Sequence, residues 1–286
     1  MRIVTWNTQW CCGLDGIVSP RRIVEGARAL LADFDVLCLQ EIAQGYDDTM
    51  PGRPGDQPAE LAALLPGHSL FFGAAVDEFT PDGRRQRFGN LIATRLPVRR
   101  VEHHPLPWPA DAGVRSMPRM CTVVTVDAPG LGPVRVMTTH LEYYSPVQRM
   151  AQARALRALH QSACALAAAP PAADEDGSPF RAKPHTPHAV LCGDFNLGAC
   201  EPEYEVIQQP FDAGAGEARL RDAWRVMHRD APHPPTFRLF DRTYGPDPVA
   251  CDFVFLSDGL APRLKSIAVD TATRVSDHQP VAIELA

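Results

Sequence analysis

The sequence predicts an α/β fold, and three observations support this prediction. The chain begins with a β-prone run, continues into a helical pattern and returns to an uninterrupted apolar strand, an order typical of α/β proteins with buried strands. The hydrophobic content of 45% and the charged content of 22% are ordinary for a globular protein. Polar residues also collect at the ends of several strand-like runs. Because the composition shows no break, residues 1–286 are predicted to form one domain.

The first third of the chain contains four predicted strands and two predicted helices. Ser19 before Pro20 is an N-cap followed by proline at the first helical position, so a helix is predicted from Pro20 to about Ala32. A short second helix is predicted from Ala59 to Leu65. The four strands are predicted at Arg2–Trp6, Asp35–Glu41, Ser69–Val76 and Phe88–Thr94.

The rest of the chain continues to alternate strands and helices. Ser145 before Pro146 repeats the N-cap signal and predicts a helix that ends at about Ala168. Two further helices are predicted near Glu201–Gln208 and Leu220–Met227. Five more strands are predicted at Met120–Val126, Val134–Thr139, His188–Cys192, Cys251–Leu256 and Val281–Leu285.

Three irregular segments separate these elements. The loop from Ala43 to Gln57 leaves the end of a predicted strand, where a binding loop is expected. The loop from Pro105 to Pro118 is rich in proline. Residues 170–187 cannot bury enough apolar surface to order themselves, so they are predicted to form a mobile surface insertion. A hairpin carries three arginines, for which a solvated charged surface is favoured over phosphate contacts: Arg84, Arg85 and Arg87.

Composition limits the class of protein and its compartment. No apolar run is long enough to span a membrane, and the N-terminus lacks the apolar region of a signal peptide, so we expect no membrane insertion and a cytoplasmic location. The net charge of -6 argues against coating nucleic acid through bulk electrostatics, although it is compatible with a local basic cleft. The eight cysteines show no Cys-x-x-Cys spacing and are predicted to be reduced structural thiols. No obligate protein partner is indicated.

The run Gly-Asp-Phe-Asn at residues 193–196 follows the predicted strand His188–Cys192. Side chains alternate along an extended chain, so Asp194 and Asn196 would face the same side if the strand continued through Phe195. A carboxylate base and an amide donor would then face one cleft. An ordinary Asx turn explains the same residues without any function.

Other strand ends carry polar residues of the same kind. Any one of them could be a turn residue. Together they supply hard oxygen ligands, a base and phosphate donors, which a structural role does not require. The set consists of Asn7, Glu41, His140, Asp194, Asn196, Asp277 and His278.

Seven short motifs in this order resemble the endonuclease/exonuclease/phosphatase superfamily. They are Thr5-Trp6-Asn7, Leu39-Gln40-Glu41, Gly89 to Pro97, Thr139-His140-Leu141, Gly193-Asp194-Phe195-Asn196, Asp252 to Phe255 and Ser276 to Val281. The superfamily includes pancreatic-type deoxyribonuclease, abasic-site endonucleases, deadenylases, bacterial sphingomyelinases and inositol polyphosphate 5-phosphatases. The resemblance covers residues 5–281 and implies a four-layered α/β sandwich, in which two mixed β-sheets lie face to face and helices flank them.

The resemblance implies a role for each matching residue. Glu41 would be the principal ligand of Mg²⁺, for which Mn²⁺ can substitute, and Asn7 would contact a phosphate or a metal-bound water. Asp277 would be a further acid on the metal side. Asp194 would orient or deprotonate the attacking water, and Asn196 would hold that water or a phosphate oxygen.

The remaining matches concern the phosphoryl group. His278 would stabilise the charged phosphoryl oxygens, and Asp252 would fix its ring through the second ring nitrogen. His140 would be another phosphate donor. Arg119 lies where an arginine could reach the phosphate, although a surface arginine at a strand end is the simpler and favoured explanation.

The implied activity is that of a Mg²⁺-dependent phosphoesterase, a hydrolase in which an activated water attacks a phosphodiester in line. Abasic-site endonucleases carry an acid where this chain has Gln9, and inositol 5-phosphatases carry a Pro-x-Trp-Cys-Asp-Arg run that is absent around Asp252. The expected substrate is therefore a small phosphodiester or a single-stranded nucleic acid. A DNA or RNA nuclease is the first alternative, and a non-catalytic binding module on the same scaffold is the second.

Overall fold

Strands with apolar side chains on both faces determine the architecture. The computed structural model describes residues 1–211 and 219–286, and its strands form two mixed six-stranded sheets. Along the chain the strands are β1 (Arg2–Asn7), β2 (Val36–Gln44), β3 (Ser69–Phe79), β4 (Arg85–Thr94), β5 (Val98–Pro105), β6 (Met120–Ala128), β7 (Gly132–His140), β8 (Ala189–Asp194), β9 (Leu220–Asp222), β10 (Asp252–Ser257), β11 (Leu264–Val269) and β12 (Val281–Leu285). The helices are α1 (Pro20–Leu30), α2 (Gln57–Leu64), α3 (Pro146–Ala168), α4 (Pro202–Gln208) and α5 (Ala223–His228), and a 3₁₀ turn covers Ala261–Arg263.

Each sheet contains one parallel pair of strands. Sheet one has the order β11-β12-β1-β2-β4-β3, and sheet two has the order β5-β6-β7-β8-β10-β9. The parallel pairs are β1 with β2 and β7 with β8, and the other neighbours are antiparallel. A parallel connection needs a crossover, which α1 provides in sheet one and α3 in sheet two. In each parallel pair the carboxyl ends of both strands therefore lie at the same end of the sheet.

Three apolar layers hold the sheets and helices together. One layer lies between the sheets and includes Val36 of sheet one and Val136 of sheet two. A second packs α1 and α2 against the outer face of sheet one, where Trp6 is completely buried. The third packs α3 and α4 against the outer face of sheet two and includes Leu156 and Phe255. This arrangement confirms the predicted four-layered α/β sandwich.

The layer between the sheets changes from apolar to polar along each central strand. On β1 the residues that face this layer are Ile3, Thr5 and Asn7, so the polar residues come last. Four other strands follow the same pattern when read toward the same end: Val36, Cys38 and Gln40 on β2; Val134, Val136, Thr138 and His140 on β7; Val190, Cys192 and Asp194 on β8; and Leu256, Val254 and Asp252 on β10. Because side chains alternate with period two, all of these residues face the layer between the sheets. The polar residues at the strand ends therefore form a cluster at one end of this layer.

Amide side chains connect the two sheets at this polar end. Asn7 Nδ2 of sheet one donates to Asp194 Oδ2 of sheet two at 2.8 Å. Gln40 Nε2 donates to Thr138 Oγ1 at 2.8 Å, and Asn90 Nδ2 donates to the carbonyl of Met120 at 3.1 Å. Buried polar groups are costly unless they are paired, so these bonds fix the spacing of the sheets where apolar contacts end.

Two strands and one helix start differ from the sequence predictions. β5 and β11 were not predicted, because both are edge strands whose half-exposed residues give a weak apolar pattern. The helix predicted at Leu220–Met227 begins instead as strand β9, and Asp222 then caps α5 by accepting from Trp224 N at 2.9 Å. The other predicted strands and helices are confirmed, with ends that move by up to three residues.

Residues 170–187, the predicted insertion, differ in burial along their length. Residues 172–183 are mostly exposed, and their hydrogen bonds to described residues all stay within the segment. Thr186 is buried, because its hydroxyl donates to the carbonyl of Pro133 at 2.8 Å and its own carbonyl accepts from Arg135. The last residues of the segment are thus part of the packed structure.

Gly193 allows β7 and β8 to approach each other closely. Its φ is 138°, and a Cβ at this position would lie 2.0 Å from the carbonyl oxygen of Thr139. Any other residue would have to push the two parallel strands apart. The glycine of the Gly-Asp-Phe-Asn run is therefore required for steric reasons, independently of any catalytic role.

We expect Gly193→Ala to lower the free energy of unfolding by more than about 3 kcal/mol, because both the backbone angle and the strand contact forbid a methyl group. Urea unfolding monitored by circular dichroism measures this loss. Gly130→Ala is the matched control, because Gly130 has a φ of 74° but no atom within 4 Å of the added Cβ. It should cost about 1 kcal/mol. Equal losses for both variants would contradict the steric explanation.

Candidate active site

A pocket of about 290 Å³ opens at the polar end of the interface between the sheets. Residues from both sheets line it. Seven of the nine predicted site residues are among them: Glu41, Arg119, His140, Asp194, Asn196, Asp277 and His278. The other two, Asn7 and Asp252, lie directly behind and contact residues of the lining. The fold thus brings the predicted residues together in one place.

Asn7 is at the centre of this group. Its Nδ2 donates to Asp194 Oδ2 at 2.8 Å and to Glu41 Oε1 at 3.2 Å. Its Oδ1 accepts from the backbone nitrogen of Gln9 at 3.1 Å. One buried amide therefore fixes the two carboxylates that the resemblance assigned to metal binding and to water activation.

Asp194 and Asn196 face the same pocket, but not for the predicted reason. β8 ends at Asp194, and Asn196 has a φ of 50°, so the chain does not stay extended. Asp194 Oδ1 accepts from Asn196 N at 2.9 Å, which is the Asx turn considered as the alternative. The turn itself directs the Asn196 amide into the pocket, where Nδ2 donates to the carbonyl of Leu141 at 2.9 Å.

Glu41 reaches the pocket through a β-bulge. Leu39 pairs with Leu91 and Ile42 pairs with Gly89, so two residues of β2 lie opposite Asn90 alone. Glu41 has a φ of 61°, a left-handed conformation that is costly for a residue with a side chain. Without the bulge, alternation would turn Glu41 toward the outer face of sheet one. Bulges often redirect side chains in this way at active sites.

The carboxylates of Glu41 and Asp277 are held in an environment that disfavours their charge. Burial first, and then the neighbouring charge of Asp277, raise the pKa of Glu41 to about 7. Burial also raises the pKa of Asp277. A cation bound between these groups would relieve both effects.

His278 is oriented and charged by Asp252. Its Nδ1 lies 2.9 Å from Asp252 Oδ2, and its Nε2 lies 3.7 Å from Asp194 Oδ2. Burial works against charge on the imidazole, but the Asp252 and Asp194 carboxylates outweigh it and raise the pKa of His278 well above its usual value. The ring of Phe237 stacks on the imidazole at 4.3 Å. The two carboxylates thus favour the protonated imidazole of His278, and the contact with Asp252 fixes the direction of Nε2.

His140 differs from His278 in its charge. Burial and the nearby charge of Arg119 lower the pKa of His140 to about 3, so the imidazole is neutral. Its Nε2 lies 2.9 Å from Asn196 Nδ2, a donor, which leaves the ring proton on Nδ1. Nδ1 is 3.9 Å from Glu41 Oε1. His140 can therefore donate one hydrogen bond without carrying charge.

Arg119 is not the surface arginine considered as the simpler explanation. It is 6% exposed, and its Nε is 3.1 Å from the carboxylate of Glu142, which is completely buried. Its Nη1 is buried without a hydrogen-bond partner among the described residues. A buried donor without a partner is costly, and an anion in the pocket would supply one.

Two sets of residues could be considered for a metal. Asp194, Cys251, Asp252 and His278 place ligand atoms within 4.8 Å of one another. Burial raises the pKa of Cys251 well above its usual value, so it stays a thiol, and His278 uses Nδ1 for Asp252. These four residues therefore fit a buried hydrogen-bond network better than a metal site.

The second set, Glu41, Asp194 and Asp277 beside Asn7, consists of oxygen donors. Two of its carboxylates have raised pKa values because they are buried close to like charges. Mg²⁺ prefers a few carboxylate oxygens together with water and substrate oxygens. The residues present therefore fit a divalent cation at this position.

Several pocket residues were not identified from the sequence. Gln9, Trp10 and Cys11 form a turn with φ values of 48°, 43° and 58°, and the first two line the pocket. The Gln57 amide donates to the carbonyl of Trp10 and holds this turn. Tyr143, Tyr144 and Tyr244 also line the pocket. The Tyr-Tyr pair, separated from Thr-His-Leu only by Glu142, was the available signal, since the chain has only five tyrosines.

Three structures of similar proteins share this architecture over the whole chain. An endonuclease/exonuclease/phosphatase from Beutenbergia cavernae DSM 12333 is 27% identical with a TM-score of 0.65, and the match covers 99% of this chain and 70% of that one. The mannosyl-6-phosphatase Bt3783 of Bacteroides thetaiotaomicron VPI-5482 is 17% identical with a TM-score of 0.67, covering 100% and 99%. Truncated TDP2 from Caenorhabditis elegans is 17% identical with a TM-score of 0.61, covering 100% and 97%.

Comparison of the sequence with protein-family models agrees with the structural comparison, whereas a search of curated proteins gives no match. The family model described as Endonuclease/Exonuclease/phosphatase family matches residues 4–278, which is nearly the whole chain. The chain therefore belongs to the endonuclease/exonuclease/phosphatase family.

Proposed function

We propose that this protein is a Mg²⁺-dependent phosphodiesterase that hydrolyses its substrate by in-line attack of water. The observation that carries the proposal is the surroundings of Asp194. Its Oδ2 lies 2.8 Å from Asn7 Nδ2, 3.4 Å from His140 Nε2 and 3.7 Å from His278 Nε2, at the wall of an open pocket. A carboxylate that accepts a hydrogen bond from Asn7 and lies close to two imidazoles beside a cleft is suited to orient a nucleophile.

Some pocket residues would act on the attacking water, and others would act on the phosphoryl group. Asp194 would orient the attacking water and take its proton, and Asn196 would hold the water or a phosphate oxygen. The imidazolium of His278 would neutralise charge that develops on the phosphoryl oxygens, while neutral His140 would donate a hydrogen bond. Arg119 offers its buried Nη1 to another oxygen. Donors fixed before the reaction stabilise such charge without having to reorganise.

The metal would be held by Glu41 and Asp277, with Asn7 positioned to contact the phosphate or a metal-bound water. When bound, a divalent cation supplies positive charge that polarises the phosphoryl group. The raised pKa values of the two acids support this placement, because the cation would offset their repulsion.

The proposed substrate is a small or single-stranded phosphodiester. Two of the three hairpin arginines are already paired with local acids, Arg84 with Asp82 and Asp48 and Arg85 with Asp77. The third, Arg87, donates to the amide oxygen of Gln44 at 2.6 Å, so the hairpin offers little to a duplex backbone. The net charge of -6 also disfavours long polyanions.

We also propose a cytoplasmic location and a single catalytic domain. None of the eight cysteines forms a disulfide bond with another residue in the described part of the chain, as is usual for proteins of the reducing cytoplasm. No helix among residues 1–211 and 219–286 is long and apolar enough to span a bilayer. Because both sheets contribute to one pocket, we treat residues 1–286 as a single catalytic domain.

We expect Asp194→Asn and His278→Ala each to lower turnover of bis(p-nitrophenyl) phosphate by about 10² to 10⁴, because each removes a group that acts on the reacting centre. Initial rates with saturating Mg²⁺ measure the effect, and circular dichroism checks the fold. Asp174→Asn, in the exposed segment, is the control and should match wild type. Activity of either site variant within twofold of wild type would rule out the assignment.

Glu41→Gln should weaken Mg²⁺ binding by more than about tenfold in calorimetric titration, because an amide lacks the charge that holds a hard cation. Glu78→Gln, on the exposed end of β3, should bind like wild type. Unchanged affinity of Glu41→Gln would place the metal elsewhere.

In the absence of metal, Glu41→Gln should be more stable than the wild-type protein at pH 8. The folded-state pKa of Glu41 is raised from 4.5 to about 7, so its contribution to stability is present below 4.5 and is lost as pH rises through 7. The carboxylate is one-fifth exposed, so we expect a gain of about 1 to 2 kcal/mol in the variant. Urea unfolding in EDTA should show this gain at pH 8 and not at pH 4.5.

Small and single-stranded phosphodiesters should have a higher kcat/KM than duplex DNA at about 0.1 M salt, where exposed charges are partly screened. The panel contains bis(p-nitrophenyl) phosphate, a single-stranded oligonucleotide, plasmid DNA and abasic duplex DNA. A preference of tenfold or more for either duplex would establish the nuclease alternative. No Mg²⁺-dependent hydrolysis of any substrate would favour a non-catalytic module.

A further inference from the structure

Three tyrosines line the pocket together, and the ring of Tyr143 meets each of the other two rings edge to face. The rings of Tyr143 and Tyr144 are 4.8 Å apart with an interplanar angle of 86°, and those of Tyr143 and Tyr244 are 6.2 Å apart at 76°. Tyr144 and Tyr244 are 42% and 46% exposed. We call these three residues the tyrosine wall. Large rings exposed together beside a site are typical of a binding surface.

Buried polar groups hold the backbone of the tyrosine wall in place. The carboxylate of Glu142 accepts from Tyr144 N at 2.9 Å, and Arg149 Nη1 donates to the carbonyl of Tyr143 at 3.0 Å. Glu142 is completely buried, and Arg149 is 7% exposed. The wall is therefore a preformed surface rather than a set of free side chains.

The wall continues to the proposed reacting centre. Tyr244 lies 6.1 Å from Phe237, which stacks on His278 at 4.3 Å. The same carboxylate that holds Tyr144 also holds Arg119, whose Nη1 is unpartnered. A substrate with its phosphate at His278 and Arg119 would thus have its organic group beside the tyrosines.

The remaining sides of the pocket also favour a flat group. Trp10, in the turn after β1, and Phe88 of β4 also line the pocket. The guanidinium of Arg115 lies 5.3 Å from the centre of the Tyr144 ring. Arg115 forms no ion pair with any residue in the described part of the chain, so its planar cation is available to stack on a ligand.

We propose that the tyrosine wall is a subsite for a planar aromatic ring carried by the organic group of the phosphoester. Stacking on aromatic side chains stabilises bound nucleobases, and any flat π-system can use it. A nucleobase and an aryl alcohol share this chemistry. The proposal rests on the proposed function, because the phosphate site defines where the ring lies.

Binding of non-hydrolysable phosphonates separates the ring from the phosphate and from turnover. Phenylphosphonate, cyclohexylphosphonate and methylphosphonate are titrated calorimetrically into the Mg²⁺-loaded protein. The phenyl and cyclohexyl compounds have similar size but differ in flatness. We expect phenylphosphonate to bind about fivefold more tightly than cyclohexylphosphonate, because only the flat ring stacks.

Adenosine 5′-monophosphate, titrated in parallel, distinguishes the two sources of the ring. Tighter binding than phenylphosphonate identifies a nucleobase, and weaker binding identifies an aryl alcohol. Both results support an aromatic subsite.

Variants locate the subsite. Tyr144→Leu and Tyr244→Leu should each reduce the ratio of phenyl to cyclohexyl affinity toward one, and thermal melts verify their folding. Phe79→Leu, which changes an aromatic residue that is 67% exposed on β3, should keep the wild-type ratio.

Two results would contradict the proposal in different ways. Equal affinity of wild type for phenylphosphonate and cyclohexylphosphonate would overturn the aromatic subsite while leaving the phosphodiesterase proposal intact. Failure of every phosphonate to bind would overturn the phosphate site itself, and the subsite with it.

Discussion

The hydrogen bond from Asn7 to Asp194 joins the two sheets inside the pocket, and the rest of the site depends on it. Apolar contacts set the distance between the sheets over most of the interface, but they stop before this end. There the amides of Asn7, Gln40 and Asn90 span the gap by donating from sheet one to sheet two. An amide is uncharged and can be buried at modest cost when it is bonded. These bonds therefore bring acids from separate sheets together without adding charge of their own.

Much of the fold could be predicted because its central strands are buried on both faces. Runs such as Val190-Leu191-Cys192 carry a strong apolar signal, and the Ser-Pro pairs mark the starts of α1 and α3. The edge strands β5 and β11 lack that signal, since half of each faces solvent. Their position is set by pairing with β6 and β12, which is a long-range interaction that local sequence does not encode.

The site residues that could be predicted from the sequence are polar residues at the ends of predicted strands. The features of the site that depend on backbone geometry could not be predicted. Asp252 and His278 were expected to pair, and their atoms lie 2.9 Å apart. The bulge at Glu41 has no sequence signature, because it arises from the register of β2 against β4. The burial of Arg119 follows from Glu142, which no motif had marked. Sequence reasoning therefore missed the β-bulge that positions Glu41 and the buried Glu142 that holds Arg119.

One thiol differs from the other seven. Cys200 is exposed and lies four residues after Asn196, whereas every other cysteine is buried. Burial raises the pKa of Cys11 to about 12 and that of Cys251 well above its usual value, so such thiols stay protonated and unreactive. A maleimide dye or a nitroxide would thus attach at Cys200 in the native protein. The molecule carries its own attachment point for a spectroscopic probe four residues along the chain from the pocket residue Asn196, without any engineered cysteine.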